Sequence, residues 1–255
     1  MIPDSAWRVA GSQVRGVSHC ASGLPCQDAF QVHQFGHTLL VAVADGAGSA
    51  TFSDEGAFLA VKTGVEALAA CLPEQPEGLG DIGMAQLLHE AALRARDAVL
   101  GTAELRDISA RELASTLLLA VVSPSRVAGL QIGDGAIVTR GPEGDFEALT
   151  KPEAGEFINE TTFLTSVGAI DTAQVAIRTS PISGVALFSD GLQMLALTMK
   201  EGWAPHPRFF GPVFGWLEDE NYAETAQKNI EALLSSPRVS ARTDDDLTLV
   251  VARLL

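Results

Sequence analysis

The order of the apolar segments is the feature that most constrains how this chain can fold. One apolar run, at residues 38–44, predicts a buried strand, and apolar residues at helical spacing follow at 53–71 and 84–106. Short apolar runs then return and predict strands at 116–122, 127–132, 136–140, 175–179 and 185–188, before helices at 191–198 and 221–235 and a last strand at 247–252. Because strands and helices come in separate runs, the order favours an α+β fold over a doubly wound sheet.

The first long helix carries the clearest local signals. Ser53 is its expected N-cap. The residues expected on its buried face recur at spacings of three and four: Phe58, Val61, Val65, Leu68 and Leu72. Residues 141–170 are rich in turn residues, so we interpret them as a surface flap. The chain has 255 residues and no evident linker, so we expect a single domain over 1–255.

The composition disfavours several classes of function. With 32 acidic and 17 basic residues, the formal net charge is −15, which disfavours binding to nucleic acids and to anionic membrane surfaces. The three cysteines form no CxxC pair, so we expect neither a disulfide framework nor a thiolate zinc site. The first residues do not resemble a secretory signal, and no apolar run is long enough to predict a transmembrane helix. We therefore expect a cytoplasmic protein.

Acidic residues stand at the ends of several predicted strands. Asp-Gly pairs end three apolar runs: Asp45-Gly46, Asp134-Gly135 and Asp190-Gly191. The triplet Asp244-Asp245-Asp246 opens the final strand, and Asp28 closes the segment Pro25-Cys26-Gln27-Asp28. If these strands are neighbours, their terminal carboxylates converge and repel one another, and a hard divalent cation relieves that repulsion.

Two interpretations of these pairs remain open on spacing alone. A single Asp-Gly after a strand is usually a turn. Three such pairs together with an acidic triplet also fit a carboxylate site for Mg²⁺ or Mn²⁺, and two such ions about 3.5–4 Å apart can bind a phosphoryl group and activate a water. The sequence contains neither a G-x-S-x-G elbow nor a P-loop, which fits a reaction without a protein nucleophile.

The ordered set of short motifs resembles that of the metal-dependent protein phosphatases (the PPM, or type-2C, serine/threonine phosphatases). Four segments carry the resemblance: Asp45-Gly46, Ile132-Gly133-Asp134-Gly135, Leu187-Phe188-Ser189-Asp190-Gly191 and Asp245-Asp246-Leu247-Thr248. The opening segment, from Gly16-Val-Ser-His19 to Gln27-Asp28, resembles a divergent bacterial branch. The resemblance implies a four-layer α-β-β-α fold, in which helices flank a sandwich of two antiparallel sheets.

The resemblance also implies metal ligands. Asp45 would bridge two ions, Mg²⁺ or Mn²⁺, with the Gly46 carbonyl on one of them. Asp190 and Asp245 would complete the first metal site. Asp134, together with Asp190, would serve a third and weaker site.

Two further residues and the reaction follow from the same resemblance. Asp28 would hold a metal-bound water, and Thr116 matches a small-residue motif that opens a strand near the site. The implied reaction is attack of a metal-activated water on phosphoserine or phosphothreonine. The implied partners are a phosphorylated protein and a cognate serine/threonine kinase, with no nucleic acid or membrane partner, and we expect a monomer.

The sequence departs from the family pattern in its first motifs. His19 stands near the place of an arginine that binds the substrate phosphate, with Arg15 close by, so His19 is the candidate phosphate contact. Gln27 replaces an acid that often precedes Asp28, and Ala47 replaces a histidine that some members carry. These departures leave two alternatives open: a catalytically weak pseudophosphatase that binds a phosphoprotein or regulates a kinase, and a small-molecule phosphatase on the same scaffold.

Overall fold

The computed structural model describes residues 7–73, 76–152 and 161–255. Its strands are β1 (Trp7–Val14), β2 (Ala29–Phe35), β3 (Thr38–Ala44), β4 (Leu117–Ser123), β5 (Arg126–Ile132), β6 (Ala136–Arg140), β7 (Phe146–Thr150), β8 (Gln174–Arg178), β9 (Gly184–Phe188), β10 (Leu197–Thr198), β11 (Ala204–Pro205) and β12 (Leu247–Leu254). Its α-helices are α1 (Val17–Ser22), α2 (Ser53–Cys71), α3 (Asp81–Arg106), α4 (Gln193–Ala196), α5 (Pro207–Gly215), α6 (Tyr222–Leu234) and α7 (Pro237–Ser240).

Ten of these strands form two five-stranded antiparallel sheets. The first sheet has the order β1-β12-β9-β6-β7, and the second has the order β2-β3-β4-β5-β8. In the first sheet β12 pairs with β9 so that Val250 lies opposite Leu187. In the second sheet β3 pairs with β4 so that Val41 lies opposite Ala120. The predicted α+β class, with two antiparallel sheets, is confirmed.

The two sheets pack face to face through alternate residues of their strands. All seven residues of β3 are buried, but they belong to two different layers. Leu39, Val41 and Val43 pack in the layer between the sheets, whereas Leu40, Ala42 and Ala44 pack on the side of the helices. Since side chains alternate across a strand, a strand covered on both faces reads as a continuous apolar run.

Helices cover the outer face of each sheet, which completes the predicted four layers. The helices α2 and α3 share a core with the outer face of the second sheet. The helices α4 to α6 share a core with the outer face of the first sheet, where Phe210 and Phe214 of α5 pack against Phe146. Among the residues described, no helix combines the length and the apolar character needed to cross a bilayer.

Helix α2 differs from its predicted contacts at two positions. It begins at Ser53, but the Ser53 hydroxyl donates to the Ala50 carbonyl at 3.4 Å and caps no helix N–H group. Phe58 is 59% exposed, so its predicted burial is wrong. The reason is that small residues set the contact face: a Cβ added at Gly64 would lie only 2.8 Å from a methyl carbon of Leu119, so α2 lies too close to the sheet for large side chains there.

The sequence patterns also missed several elements. Strand β1 and the short helix α1 were not predicted, because β1 carries polar residues and lies at a sheet edge. The interval 141–170, interpreted as a flap, contains β7, which pairs with β6. Residues 153–160 of that interval lie outside the described residues. The predicted helix at 191–198 is a 3-10 turn, the short α4 and the two-residue strand β10.

Candidate metal centre

Aspartates from both sheets meet at one end of the sandwich. Asp45 directly follows β3 of the second sheet, and Asp190 follows β9 of the first sheet after one residue. Asp134 lies between β5 and β6, where the chain passes from the second sheet to the first. Asp28 directly precedes β2, and Asp245 lies just before β12. The site therefore exists only because the two sheets are packed together.

Three of these aspartates form a compact group. One carboxylate oxygen from each of Asp45, Asp134 and Asp190 lies within 4.8 Å of the other two, and all three side chains are half-buried. Asp134 and Asp190 each have a buried oxygen, Oδ1, without a hydrogen-bond partner among the described residues. The other oxygen of Asp134 accepts a hydrogen bond from the Thr161 hydroxyl at 2.9 Å. Converging carboxylate oxygens with unused lone pairs suit a hard divalent cation.

Burial and mutual repulsion raise the pKa values of the carboxyl groups of Asp28, Asp45 and Asp190. The pKa of Asp45 is raised well above its ordinary value, first by burial and then by the charges of Asp28 and Asp190. Burial and the charge of Asp134 raise the pKa of Asp190 to about 6. Burial raises the pKa of Asp28 to about 7, although hydrogen bonds from Ser189 and Thr248 oppose the rise. A bound cation would reverse these shifts, because it favours the ionised form of each ligand.

The backbone around Asp45 is held in place by the second sheet and by the segment before β2. The Asp45 N–H donates to the Thr116 hydroxyl at 2.9 Å, and the Asp45 carbonyl accepts from the Thr116 N–H at 2.8 Å. The N–H of Gly46 donates to the Gln27 carbonyl at 3.1 Å. A Cβ added at Gly46 would lie 2.7 Å from that same carbonyl oxygen, so only glycine permits this approach. Thr116, predicted to lie near the site, thus fixes the position of Asp45.

Asp28 is tied to the first sheet by a chain of hydrogen bonds. Its Oδ2 accepts from the Ser189 hydroxyl at 2.7 Å, and the Ser189 oxygen accepts from the Thr248 N–H at 3.0 Å. Asp28 is 2% exposed, and its Oδ1 has no hydrogen-bond partner among the described residues. One oxygen of Asp28 is therefore fixed by Ser189 and the other is available to a ligand or water.

Asp245 lies beside the compact group but is not part of it. It is absent from the set of oxygens that all lie within 4.8 Å of one another. Its charge nevertheless raises the pKa values of Asp45 and Asp190, so it lies close to both. Burial raises the pKa of Asp245 itself, and the charge of His19 opposes that rise. Its role as a metal ligand stays a prediction.

Asp246 is the residue that sequence reasoning placed least well. The sequence motifs assigned it no role, yet it is 1% exposed. Its Oδ1 accepts from the Gly16 N–H at 2.6 Å, and its Oδ2 accepts from the Gln27 N–H at 2.5 Å and faces His19 Nδ1 at 2.9 Å. Backbone N–H groups can only donate, so the Asp246 carboxylate accepts from both of them. It thereby joins its own segment to residues 16–19 and to Gln27, next to the metal centre. Its place in a triplet of aspartates gave no signal to distinguish it from its neighbours.

The Asp246 contact decides which atom of His19 is available. An ionised Asp246 can only accept, so His19 Nδ1 carries a hydrogen and donates it. Nε2 is then the one ring nitrogen left for another partner. His19 is 8% exposed, and its position beside Asp245 places it next to the predicted metal ligands.

The sequence is similar to known proteins over nearly its whole length. The family model described as protein phosphatase 2C matches residues 15–235. The chain is 35% identical over 254 residues to serine/threonine-protein phosphatase 3 of Escherichia coli (strain K12), an alignment that covers 97% of this chain and 98% of that protein.

Solved structures of bacterial phosphatases share the fold. The serine/threonine phosphatase Stp1 from Staphylococcus aureus has a TM-score of 0.64 at 14% identity, with 97% of this chain and 95% of that chain covered. The catalytic domain of the serine/threonine phosphatase PstP, in complex with two manganese ions, has a TM-score of 0.56 at 18% identity, with 98% of both chains covered. At these identities the structures support the fold alone.

The raised pKa values predict how pH changes the stability of the metal-free protein. A carboxyl group whose pKa rises on folding stabilises the folded state when the pH is below the ordinary pKa of 3.8. This stabilisation is lost as the pH rises through the raised pKa of the folded state. With pKa values of about 7 for Asp28 and about 6 for Asp190, we expect the melting temperature in EDTA to fall between about pH 5 and pH 8.

Divalent cations should reverse that loss. Because the ions bind the ionised carboxylates, Mg²⁺ or Mn²⁺ should raise the melting temperature more at about pH 8 than at about pH 5. Differential scanning fluorimetry at several pH values measures both effects, and Asp28→Asn should flatten the pH dependence in EDTA. An equal increment from metal at both pH values would contradict this account.

Asp246→Asn tests the buried contacts of this carboxylate to residues 16–19 and to Gln27. The substitution keeps the size of the side chain but places an amide NH₂ group against N–H donors. We expect a loss of about 2–4 kcal/mol in the free energy of unfolding, measured by urea denaturation. Asp244→Asn is the matched control in the same triplet; its side chain is exposed, and the change should stay within about 0.5 kcal/mol. Equal losses in the two variants would show that Asp246 has no special role.

Proposed function

The chain belongs to the protein phosphatase 2C family and is a serine/threonine protein phosphatase, and we propose that the aspartates at the end of its sandwich hold the divalent cations this activity uses. The observation that carries the proposal is the compact group of Asp45, Asp134 and Asp190, in which a buried oxygen of Asp134 and one of Asp190 have no hydrogen-bond partner among the described residues. The donor set consists of oxygen alone, which favours Mg²⁺ or Mn²⁺.

We assign the ligands as follows. Asp45 would be a ligand of two ions, with the Gly46 carbonyl on one of them, and Asp190 and Asp245 would complete the first. Asp134 and Asp190 would hold a third and weaker ion; one carboxylate oxygen of each lies within 4.8 Å of the other, and the charge of Asp134 contributes, after burial, to the raised pKa of Asp190. The complex of PstP with two manganese ions supports a count of at least two.

The ions, when bound, would supply positive charge that neutralises the phosphoryl group and lowers the pKa of a coordinated water. The protein's own contribution is to fix the ligands before substrate arrives. Thr116 holds the backbone of Asp45, and Ser189 orients the carboxylate of Asp28 by donating to its Oδ2. The remaining oxygen of Asp28 can then accept a hydrogen bond from a water and orient it, which is the role that we propose for this residue.

His19 is our candidate for the contact to the substrate phosphate. With Nδ1 donating to Asp246, the ring presents Nε2 to any second partner, and a protonated imidazole can donate from that atom to a phosphate oxygen. This arrangement gives one donor where an arginine would offer two, so His19 is a weaker clamp than the family's arginine.

The alternatives left open by the sequence are not favoured. The departures at His19, Gln27 and Ala47 motivated a pseudophosphatase, but the aspartates that would bind metal converge. Phosphorylated proteins are the substrates, and we propose that a serine/threonine kinase supplies them. We also propose a cytoplasmic monomer in which residues 1–255 form one domain.

Replacing one metal ligand at a time tests the proposal. We expect Asp45→Asn and Asp190→Asn each to lower turnover of a phosphothreonine peptide by more than about 100-fold, because each removes a charge that the cation needs. The assay is run in EDTA, in Mg²⁺ and in Mn²⁺, with circular dichroism to verify the fold. Asp244→Asn, an exposed neighbour, should keep full activity. Turnover in EDTA, or full activity of either ligand variant, would overturn the assignment.

Two substitutions separate the two nitrogens of His19. His19→Asn keeps a donor in the place of Nδ1 but removes Nε2, so we expect unchanged stability and a kcat/KM lower by about tenfold, mainly through KM. His19→Gln keeps a donor in the place of Nε2 but loses the contact to Asp246, so it should lower stability instead. Steady-state kinetics and thermal melts distinguish these effects. Unchanged kinetics in His19→Asn would exclude a contact to the phosphate.

A further inference from the structure

A groove lies beside the metal centre, outside the set of aspartates. Its volume is about 690 Å³. Three parts of the chain line it: Ala47 and Ser49 after β3, Arg111 and Ala114 before β4, and a third group between β7 and β8 that consists of Thr161, Thr162, Phe163, Thr165, Ser166 and Val167. This volume lies within the range of about 300–1,000 Å³ that is typical of ligand sites.

Hydrogen bonds connect the lining of the groove directly to the metal centre. Gly46 and Ser115 form an antiparallel bridge, and the Ser115 carbonyl accepts from the Leu164 N–H at 2.7 Å. In the group between β7 and β8, Thr161 donates to Asp134. A chain lying in the groove would therefore have one end at the aspartates.

The lining of the groove differs in charge from the rest of the protein. The chain has a net charge of −15, yet no carboxylate lines the groove among the described residues. Hydroxyl groups of serine and threonine alternate with the apolar side chains of Phe163 and Val167, and Arg111 is the one charged residue of the lining that the structure describes.

The charge of Arg111 is not neutralised by an ion pair with another described residue. None of the described ion pairs includes Arg111. Its sequence neighbour Glu112 accepts a hydrogen bond from the Thr51 N–H at 3.0 Å. An exposed guanidinium in a groove lined by hydroxyls is a ready partner for a carboxylate of a bound chain.

We propose that this groove binds the polypeptide on one side of the phosphorylated residue and that Arg111 selects substrates with an acidic side chain there. The inference rests on the proposed function, because it takes the metal centre as the place of the phosphate. Arg111 precedes Ser115, the bridge partner of Gly46, by four residues, two of them in a 3-10 turn that ends at Leu113. That path spans about 10 Å, or about three residues of an extended substrate.

Arg111 is assigned to the flanking chain and not to the phosphate itself. Arg111 lies four residues before Ser115, the bridge partner of Gly46, and the hydrogen bonds described for the carboxylates of Asp28 and Asp134 come from Ser189 and Thr161, not from Arg111. A contact to the phosphate would affect every substrate equally, whereas a contact to a flanking carboxylate affects only substrates that carry one. This difference makes the proposal testable.

The experiment compares phosphothreonine peptides with p-nitrophenyl phosphate. The peptides carry glutamate or lysine at about three residues before or after the phosphothreonine. We expect the protein to prefer one glutamate peptide over its lysine counterpart by about fivefold or more in kcat/KM. Arg111→Glu should reverse the preference and Arg111→Lys should keep most of it, while hydrolysis of p-nitrophenyl phosphate stays unchanged in both variants.

The control variant is Arg208→Glu. Arg208 is an exposed arginine of α5, the helix on the outer face of the first sheet, and its reversal changes the net charge by the same amount. It should leave the preference intact. The proposal would be overturned if the protein showed no preference between the glutamate and lysine peptides, or if the preference survived Arg111→Glu. It would also be overturned if Arg208→Glu abolished the preference as fully as Arg111→Glu does. A loss of p-nitrophenyl phosphate hydrolysis in Arg111→Glu equal to the loss on peptides would overturn it as well.

A binding measurement keeps this proposal separate from the proposed function. Fluorescence anisotropy of the same labelled peptides on Asp45→Asn measures the groove without turnover. In the Asp45→Asn background, we expect Arg111→Glu to weaken binding of the glutamate peptide by about fivefold or more, as in the kinetic comparison. Binding of the lysine peptide should not weaken. Absence of turnover in the unsubstituted protein with this binding pattern intact would count against the metal assignment alone, whereas equal binding of both peptides would refute the groove.

Discussion

The face-to-face contact between the two sheets is the interaction on which the rest of the structure depends. Apolar residues of β3 and β4 from one sheet and of β9 and β12 from the other fill this layer and are almost completely buried. Burial of this kind is the main favourable term in folding. The same contact brings the ends of strands from different sheets together, so the metal centre is built by the core and not by a local motif.

The metal centre is electrostatically costly, and the surrounding residues limit that cost. Carboxylates that are buried close together disfavour their ionised forms, and this raises the pKa values of Asp28, Asp45 and Asp190. Hydroxyl groups of Ser189 and Thr161 donate to Asp28 and Asp134, but one buried oxygen on each of Asp28, Asp134 and Asp190 has no protein partner in the described part of the chain. Such a pattern suits a cation with its bound water, since a cation favours the ionised form of every carboxylate around it.

Local patterns in the sequence predicted much of the fold but not its contacts. The strands that lie beside Asp45, Asp134, Asp190 and the aspartate triplet were predicted to within about two residues, because buried strands are continuous apolar runs, whereas β2 after Asp28 was not predicted. Strand β1 was missed, since it is an edge strand with polar residues, and β7 was missed in a region rich in turn residues. The burial of Phe58 was wrong because close approach of α2 to the sheet favours small residues, which a pattern of large apolar residues does not reveal.

The sequence by itself determined where carboxylates stand relative to strand ends, since Asp-Gly after an apolar run is a local property. It also determined the order of the elements, and the ordered motifs identified the family. Only the tertiary structure decided which aspartates share a site. Asp244, Asp245 and Asp246 are chemically identical neighbours, yet they are exposed, half-buried and buried, respectively. Successive side chains of an extended segment point in different directions, and what each one meets is set by segments more than two hundred residues away in the chain.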